Sequence, residues 1–216
     1  MQKTKIRKTL GAGVMHPSHS PWVLLVVLVT KKDRLTQFCI NYHGLNQVMK
    51  WDSYPLPHVD DILNMLVGSV WRLSLNLILG YWQILVHEDD IKKTVFVTWH
   101  GTFEFMVMLF GLTNVLASFQ RDMDIILSGL NWVSTLVYIN DIIVFSVSFE
   151  DHLQHLQEVF NWLCTANMFV KPSKCNFCQT KLLFLGHLVQ KDGIAMDPEK
   201  VHIVHEMAQP VNTTEV

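Results

Sequence analysis

The most constraining feature of this 216-residue sequence is a pair of short apolar runs, residues 136–139 and 142–145, separated by Asn140 and Asp141. Asn-Asp between two apolar runs is typical of a tight β-hairpin, because both residues tolerate the backbone conformations of a two-residue turn. A carboxylate in such apolar surroundings is costly unless it binds a cation or hydrogen-bond donors. Hairpin physics alone favours a plain turn over a cation-binding carboxylate, and both interpretations stay open at this point.

The rest of the chain predicts an irregular alternation of strands and helices, several of them joined as hairpins. Residues 1–21 contain several breakers and predict a flexible, basic lead-in without regular structure. We expect strands at 23–30, 37–42, 70–79, 94–99, 102–106 and 182–190, and helices at 58–66, 113–128 and 150–167. This order favours an α+β fold over a doubly wound parallel sheet.

Composition and charge exclude several classes of protein. Half of the residues are hydrophobic, which excludes a disordered chain, and four cysteines in this length do not make a disulfide scaffold. The net charge of −2 argues against a strongly basic nucleic-acid binder of the histone kind. Seven of the 17 basic residues, but only one acidic residue, lie in residues 1–35. That basic segment fits either phosphate contact or a solvated tail.

Neither a membrane span nor a secretory signal is predicted. No apolar run approaches the roughly 18 residues that a span needs, and the basic N-terminus lacks a long apolar core. We therefore expect no membrane partner and, by default, a cytoplasmic or nuclear location.

Other isolated polar residues have a plain structural interpretation. Asn76 lies inside an apolar strand, where a single amide is usually a hydrogen-bonded core group. Cys175 and Cys178 form a lone C-x-x-C, and their distance from His202 and His205 matches no common zinc finger. The role of the two cysteines therefore stays open.

Several short strings together indicate much more than an α+β domain. In order along the chain they are Ser20-Pro21-Trp22, Lys31-Lys32-Asp33, Tyr54-Pro55-Leu56-Pro57, Gly80-Tyr81-Trp82-Gln83-Ile84, Lys93-Thr94, Phe110-Gly111-Leu112-Thr113-Asn114, Phe119-Gln120, Lys171-Pro172-Ser173-Lys174-Cys175 and Phe184-Leu185-Gly186-His187. From about residue 13 to residue 201 the sequence resembles the reverse transcriptase of gypsy-type LTR retrotransposons and their retroviral relatives.

This resemblance implies the fingers and palm of a right-hand polymerase, with a small antiparallel palm sheet that has helices packed on one face. After a lead-in at 1–21, the fingers would be mainly 22–69 and 85–112. The palm with its primer grip would be mainly 70–84 and 113–201. Residues 202–216 would be a tail or the start of a thumb that is otherwise largely missing.

In that family, two Mg²⁺ ions are held by carboxylates from an L-D-L strand and a Y-x-D-D hairpin. The matching positions here are Asn76, Asn140 and Asp141, so two of the three carboxylates are amides. An amide offers a neutral oxygen, whereas Mg²⁺ favours charged oxygen ligands. The resemblance thus implies an RNA-directed DNA polymerase by descent, with weakened Mg²⁺ (or Mn²⁺) binding and impaired activity. An enzyme that works only with Mn²⁺ is the other catalytic interpretation.

The resemblance also assigns a nucleotide pocket and a primer grip. The pocket would contain Lys32, Gln37, Tyr81, Phe110, Gly111 and Lys174, and the primer grip would contain Leu185, Gly186 and His187. Gln37 stands where the family has an arginine for the triphosphate, so charge and bidentate geometry are lost there. The implied partners are an RNA or DNA template–primer and dNTPs, and the oligomeric state is open. A non-catalytic nucleic-acid-binding remnant or domesticated module is the alternative function.

Overall fold

A computed structural model describes residues 2–30 and 36–206 as an α+β protein in which small antiparallel sheets alternate with helices. The chain divides into two compact units. The first unit comprises Met1–Pro55 and Leu77–Ile125, and the second unit comprises Leu56–Asn76 and Ile126–Val216.

The helices and strands that the sequence predicts are present, most of them with shorter bounds, and the structure adds several that it did not predict. The helices are α1 (Gln2–Gly11), α2 (His43–Val48), α3 (Val59–Leu66), α4 (Glu88–Ile91), α5 (Val115–Ile126), α6 (Phe149–Thr165) and α7 (Pro198–Glu206). The strands are β1 (Met15–Pro17), β2 (Val26–Thr30), β3 (Thr36–Ile40), β4 (Trp71–Asn76), β5 (Phe96–Thr98), β6 (Gly101–Phe105), β7 (Thr135–Tyr138), β8 (Asp141–Ser146), β9 (Asn176–Gln179), β10 (Leu182–Phe184), β11 (His187–Gln190) and β12 (Gly193–Met196).

The first unit contains the β2–β3 hairpin and a three-stranded antiparallel sheet in the order β1-β6-β5. The strands expected at 23–30 and 37–42 pair with each other, as do those expected at 94–99 and 102–106, although residues 31–35 lie outside the described residues. The interior is an aromatic cluster that includes Phe96, Phe103 and Phe105. Strand β6 pairs with both β1 and β5, and its alternating burial directs Phe103 and Phe105 into the core on one face.

The interpretation of residues 1–21 as an unstructured lead-in was wrong. Residues 2–11 form α1, and β1 pairs with β6. Ile6 and Met15 are buried in the aromatic cluster. The breakers that suggested disorder stop α1 without interrupting it, because Gly11 ends the helix and Gly13 follows with a φ of 69°.

The second unit is built on a four-stranded antiparallel sheet in the order β7-β8-β4-β9. The central strand β8 buries apolar side chains on both faces, since Ile142, Ile143 and Val144 are all fully buried. Ile143 packs in a cluster with Ile62 and other residues of α3 and of the β10-β11-β12 sheet. The opposite face of β8 presents Ser146 to α6, so both faces of the sheet are covered.

A buried histidine marks the contact between α6 and β8. His152 is fully buried, and its Nδ1 lies 3.3 Å from Ser146 Oγ, which also lies 2.8 Å from His155 Nδ1. His152 Nε2 has no hydrogen-bond partner in the part of the chain that the structure describes. Burial lowers the pKa of His152, and the neighbouring His155 lowers it further.

We expect the chain to lose stability as the pH falls below about 6.5, the usual pKa of histidine in an unfolded chain. Below that value the unfolded state takes up a proton that the folded state resists at His152, so the free energy of unfolding falls by up to about 1.4 kcal/mol per pH unit. Urea denaturation at pH 7.5 and pH 5.5 measures the loss. His152→Gln should flatten this dependence, whereas the exposed control His58→Gln should leave it unchanged; equal slopes in both variants would contradict the assignment.

Within residues 2–30 and 36–206, none of the helices combines the length and hydropathy needed to cross a membrane.

Candidate active site

The three positions that the resemblance assigns to metal-binding carboxylates lie together in the second unit. Asn76, the last residue of β4, pairs in register with Asp141, the first residue of β8. Asn140 directly precedes Asp141 in the turn from β7. Antiparallel pairing of two neighbouring strands therefore brings the ends of two sequence motifs, 65 residues apart, to one edge of the sheet.

A hydrogen bond joins two of these three side chains. Asn76 Nδ2 donates to Asp141 Oδ1 over 2.8 Å. The opposite orientation of the amide would place two acceptor oxygens against each other, so this contact fixes which atom of Asn76 faces the carboxylate. In this arrangement, the amide presents a donor to the only charged oxygen atoms of the set.

The turn lies one residue earlier than the sequence predicts. Tyr138 pairs with Asp141, so the turn residues are Ile139 and Asn140, not Asn140 and Asp141. Pairing with Asn76 holds Asp141 inside the sheet, and this long-range contact overrides the local turn preference of Asn-Asp. Ile139 has a φ of 56°, a left-handed conformation that is costly for a β-branched residue.

Asn140 contributes a shielded acceptor to the same edge. Its Oδ1 is buried and has no hydrogen-bond partner among the described residues. An unpaired buried amide oxygen costs on the order of 1–3 kcal/mol, and such groups are usually explained by function or by an unseen ligand. Asn140 is therefore the least satisfied member of the set.

Two lysines adjoin this edge from the loop after α6. The backbone N–H of Lys171 donates to the carbonyl of Asn76 over 2.8 Å, and a single 3-10 turn then leads to Lys174. Both lysine side chains are exposed. The loop thus brings two cationic residues close to the three predicted metal positions. Of those three positions, only Asp141 carries a carboxylate.

The predicted primer grip is the turn between β10 and β11. Leu185 and Gly186 have φ values of 49° and 81°, and Phe184 pairs with His187 on either side of them. A Cβ at Gly186 would collide with the end of the Lys200 side chain. His187 Nδ1 is buried without a hydrogen-bond partner in the described chain. The turn is therefore compact and conformationally restricted.

The predicted nucleotide-pocket residues that the structure describes in the first unit surround an aromatic contact. Tyr81 is buried, and its ring packs edge-on against Phe110 at 4.8 Å between centroids. Phe110 is itself 62% exposed, and Gly111 follows it with a φ of 94°. Lys32 lies outside the described residues, and Gln37 lies in β3.

Sequence analysis did not identify Asn46, which holds the loop after Phe110 in place by hydrogen bonds. Asn46 Nδ2 donates to the carbonyl of Gly111 over 2.7 Å, and its Oδ1 accepts from the backbone N–H of Thr113 over 3.0 Å. The Asn46 side chain thereby forms hydrogen bonds with two backbone groups of the loop after Phe110. A lone Asn in a short polar stretch carries no local signal for such a contact, because its partners lie 65 and 67 residues further along the chain.

These residues do not fit a pair of divalent cations. The three positions supply one carboxylate and two amides, and one of the amides directs a donor at that carboxylate. Mg²⁺ requires oxygen ligands in near-ideal geometry and is usually held by carboxylates. In the ranges 2–30 and 36–206, no group of three or more His, Cys, Asp or Glu is arranged to hold a metal ion.

Comparisons with known proteins agree with the resemblance that the motifs carry. The family model "Reverse transcriptase (RNA-dependent DNA polymerase)" matches residues 26–189, more than half of the chain. The Retrovirus-related Pol polyprotein from transposon 297 of Drosophila melanogaster is 36% identical over 99% of this chain. That from transposon gypsy, of the same organism, is 34% identical over 95% of it. The chain covers 21% and 20% of these two relatives, about a fifth of their length.

Solved structures confirm the predicted α+β polymerase fold. The foamy viral protease-reverse transcriptase dRH in complex with ds DNA has a TM-score of 0.87 at 24% identity, covering 97% of this chain and 37% of that one. The same viral protein with an RNA/DNA hybrid has a TM-score of 0.86 at 22% identity, covering 97% and 28%. This chain therefore belongs to the reverse transcriptase family, and it is similar to about a fifth of the length of the transposon Pol polyproteins that it matches.

Proposed function

We propose that this chain is a reverse transcriptase domain that has lost template-directed nucleotidyl transfer. Reverse transcriptases generally use divalent metal, which neutralises phosphate charge and activates the attacking hydroxyl. The observation that carries the proposal is the hydrogen bond from Asn76 Nδ2 to Asp141 Oδ1. This bond places an N–H donor against one oxygen of Asp141, the only carboxylate at the three positions. The family pattern has two further carboxylates at the positions of Asn76 and Asn140.

The nucleotide side of the proposal rests on the first unit. The edge-on contact of Tyr81 with Phe110 supports an apolar part of the predicted pocket. The glutamine at position 37 lacks the charge with which an arginine would hold a triphosphate. We therefore expect dNTPs to bind weakly, through stacking and the remaining lysines more than through a triphosphate clamp.

The test is primer extension on an RNA template with dNTPs, first with Mg²⁺ and then with Mn²⁺. We expect no extension by this chain with either ion, because several kcal/mol of transition-state stabilisation are lost and each 1.4 kcal/mol is about tenfold in rate. Extension with Mg²⁺ would overturn the proposal, and extension with Mn²⁺ alone would establish a weakened enzyme in its place.

A second candidate function is nucleic-acid binding without catalysis. The exposed Lys171 and Lys174 adjoin Asn76, and the replacement of two carboxylates by amides removes charge that would repel phosphate. The foamy viral relatives were solved with ds DNA and with an RNA/DNA hybrid. With the same protein and the same template–primer as in the extension assay, this function requires binding that weakens as the salt concentration rises and that persists in EDTA. Binding that vanishes in EDTA would exclude it.

A further inference from the structure

Three side chains between α6 and β8 form one connected hydrogen-bonded set, namely Ser146, His152 and His155. The hydroxyl oxygen of Ser146 lies 2.8 Å from His155 Nδ1 and 3.3 Å from His152 Nδ1. Ser146 and His152 are buried, whereas His155 is half-buried. The N–H of Val70 donates to the carbonyl of Ser146 over 2.9 Å and holds its backbone in place. Two imidazole nitrogens therefore converge on one fixed hydroxyl.

The single proton of this hydroxyl restricts how the two rings can be protonated. A serine hydroxyl donates once, and a neutral imidazole has one donor nitrogen and one acceptor nitrogen. In the part of the chain that the structure describes, the two rings are the partners of the Ser146 hydroxyl. One ring therefore accepts from Ser146 and the other donates to it, which gives the two histidines opposite tautomers.

Distance and burial both select the same direction for this chain of hydrogen bonds. A separation of 2.8 Å is typical of a hydroxyl donor, whereas 3.3 Å is too long for one, so Ser146 donates to His155 and accepts from His152. This direction leaves the buried His152 Nε2, which has no partner among the described residues, as an acceptor. Among backbone groups, a buried N–H without a partner is rarer than an under-satisfied acceptor, and the same preference applies to this ring.

We propose that Ser146, His152 and His155 form a pH-sensitive switch that weakens the contact between α6 and β8 when His155 takes up a proton from solvent. Both nitrogens of an imidazolium donate, so protonated His155 no longer accepts from Ser146. The hydroxyl then has no acceptor, or it donates to His152 Nδ1 after that nitrogen has lost its proton and Nε2 has gained one. His152 stays neutral in both cases, and one buried donor is left without a partner.

The charges around the set place the added proton on His155. Burial lowers the pKa of His152, and the charge of His155 lowers it further, so His152 resists protonation. The other titratable side chains of the elements packed here, α6, β4 and β8, are Glu150, Asp151, Glu158, Cys164, Arg72 and Asp141. Those of α6 are exposed, the guanidinium of Arg72 binds three carbonyls, and Asp141 begins β8 at the end opposite Ser146. The switch thus differs from titration of His152 itself, because no charge enters the core.

The first experiment locates the ring protons in the whole, unmodified chain by long-range proton–nitrogen correlation spectra, which distinguish protonated from bare ring nitrogens. At about pH 8, where histidines are neutral, we expect the proton of His152 on Nδ1 and that of His155 on Nε2. During acid titration, the signals of neutral His152 should shift together with the protonation of His155, whereas the exposed His58 should titrate independently. A proton on His152 Nε2 at about pH 8, or His152 signals that do not follow His155, would overturn the proposal.

The second experiment compares the unfolding equilibrium of Ser146→Ala and the parent by urea denaturation. At about pH 8, the variant should have an unfolding equilibrium constant about 5-fold larger, the usual effect of losing a hydrogen bond. At a pH where the ring signals show His155 protonated, the difference should fall below about 2-fold, because the parent has then lost the same bond. Ser128→Ala, at an exposed serine of the second unit, should match the parent at both pH values. A Ser146→Ala loss of equal size at both pH values would show a purely structural hydroxyl and would contradict the switch.

Discussion

The double variant Asn76→Asp, Asn140→Asp should bind Mn²⁺ at least about 100-fold more tightly than the parent chain, since even outer-shell partners of a metal site change affinity 10- to 100-fold. Two amides would become carboxylates beside Asp141, and the hydrogen bond that now occupies Asp141 Oδ1 would be lost. Three carboxylates at one edge of a sheet repel one another unless a cation lies between them. Isothermal titration with Mn²⁺ measures this gain directly.

The same variant should extend a primed RNA template at a rate at least about 10³-fold above the background at which the parent shows no extension, because several kcal/mol of metal-dependent stabilisation return. The matched control Asn64→Asp, Asn161→Asp adds two carboxylates at exposed positions of α3 and α6 in the second unit, outside the three predicted metal positions. This control should bind Mn²⁺ no better than the parent. Equal Mn²⁺ affinities in the two double variants would contradict the proposed loss, whatever the extension assay gives.

The single variant Asn76→Asp tests the pairing of residue 76 with Asp141 through the melting temperature. In Asn76→Asp, the new carboxylate lies opposite Asp141 in register, without the N–H that now bridges them. Like charges directly opposite each other destabilise an antiparallel pair. The variant should therefore melt below the parent in EDTA and recover with Mn²⁺, whereas the parent should show little response to the ion.

Much of the second unit could be predicted because its signals are local. The β7–β8 hairpin follows from two apolar runs and a polar turn, and α6 follows from an amphipathic period after Ser148, which caps it. The order of the motifs then predicted the polymerase fold. The position of the hairpin turn was wrong, because the pairing of Asp141 with a strand 65 residues away decides it.

What the sequence did not reveal depends on partners that are distant along the chain. Helix α1 is held by Ile6 in a cluster with Phe96 and Phe105, and no local pattern indicates that contact. The bond from Asn76 to Asp141 is similarly invisible, since an amide in an apolar strand gives no sign of which donor or acceptor it meets. Periodicity predicts elements, whereas the chemistry of the site depends on register.

A buried arginine in β4 should dominate the stability of the second unit. Arg72 is fully buried, and its Nη1 donates to the carbonyl of Thr180 over 2.9 Å. Its Nη2 donates to the carbonyls of Ser69 over 2.6 Å and of Leu66 over 3.3 Å. Leu66 is the last residue of α3, so the guanidinium closes the C-terminal end of that helix, where a positive charge is favourable. Burial lowers the pKa of Arg72, but an arginine still keeps its proton.

Arg72→Met should lower the free energy of unfolding by about 3 kcal/mol, because three carbonyls lose a charged donor. One of them belongs to the buried Ser69, and an unsatisfied buried group costs on the order of 1–3 kcal/mol. Arg72→Lys keeps the charge but not the planar fork that spans α3 and the chain after β9, so it should recover only part of the loss. Urea denaturation of these variants measures the difference. Arg7→Met, a change at an exposed residue of α1, should stay within about 0.5 kcal/mol of the parent. If Arg72→Met unfolds with the same midpoint as Arg7→Met, the three carbonyls find other donors and Arg72 does not hold α3 to the sheet.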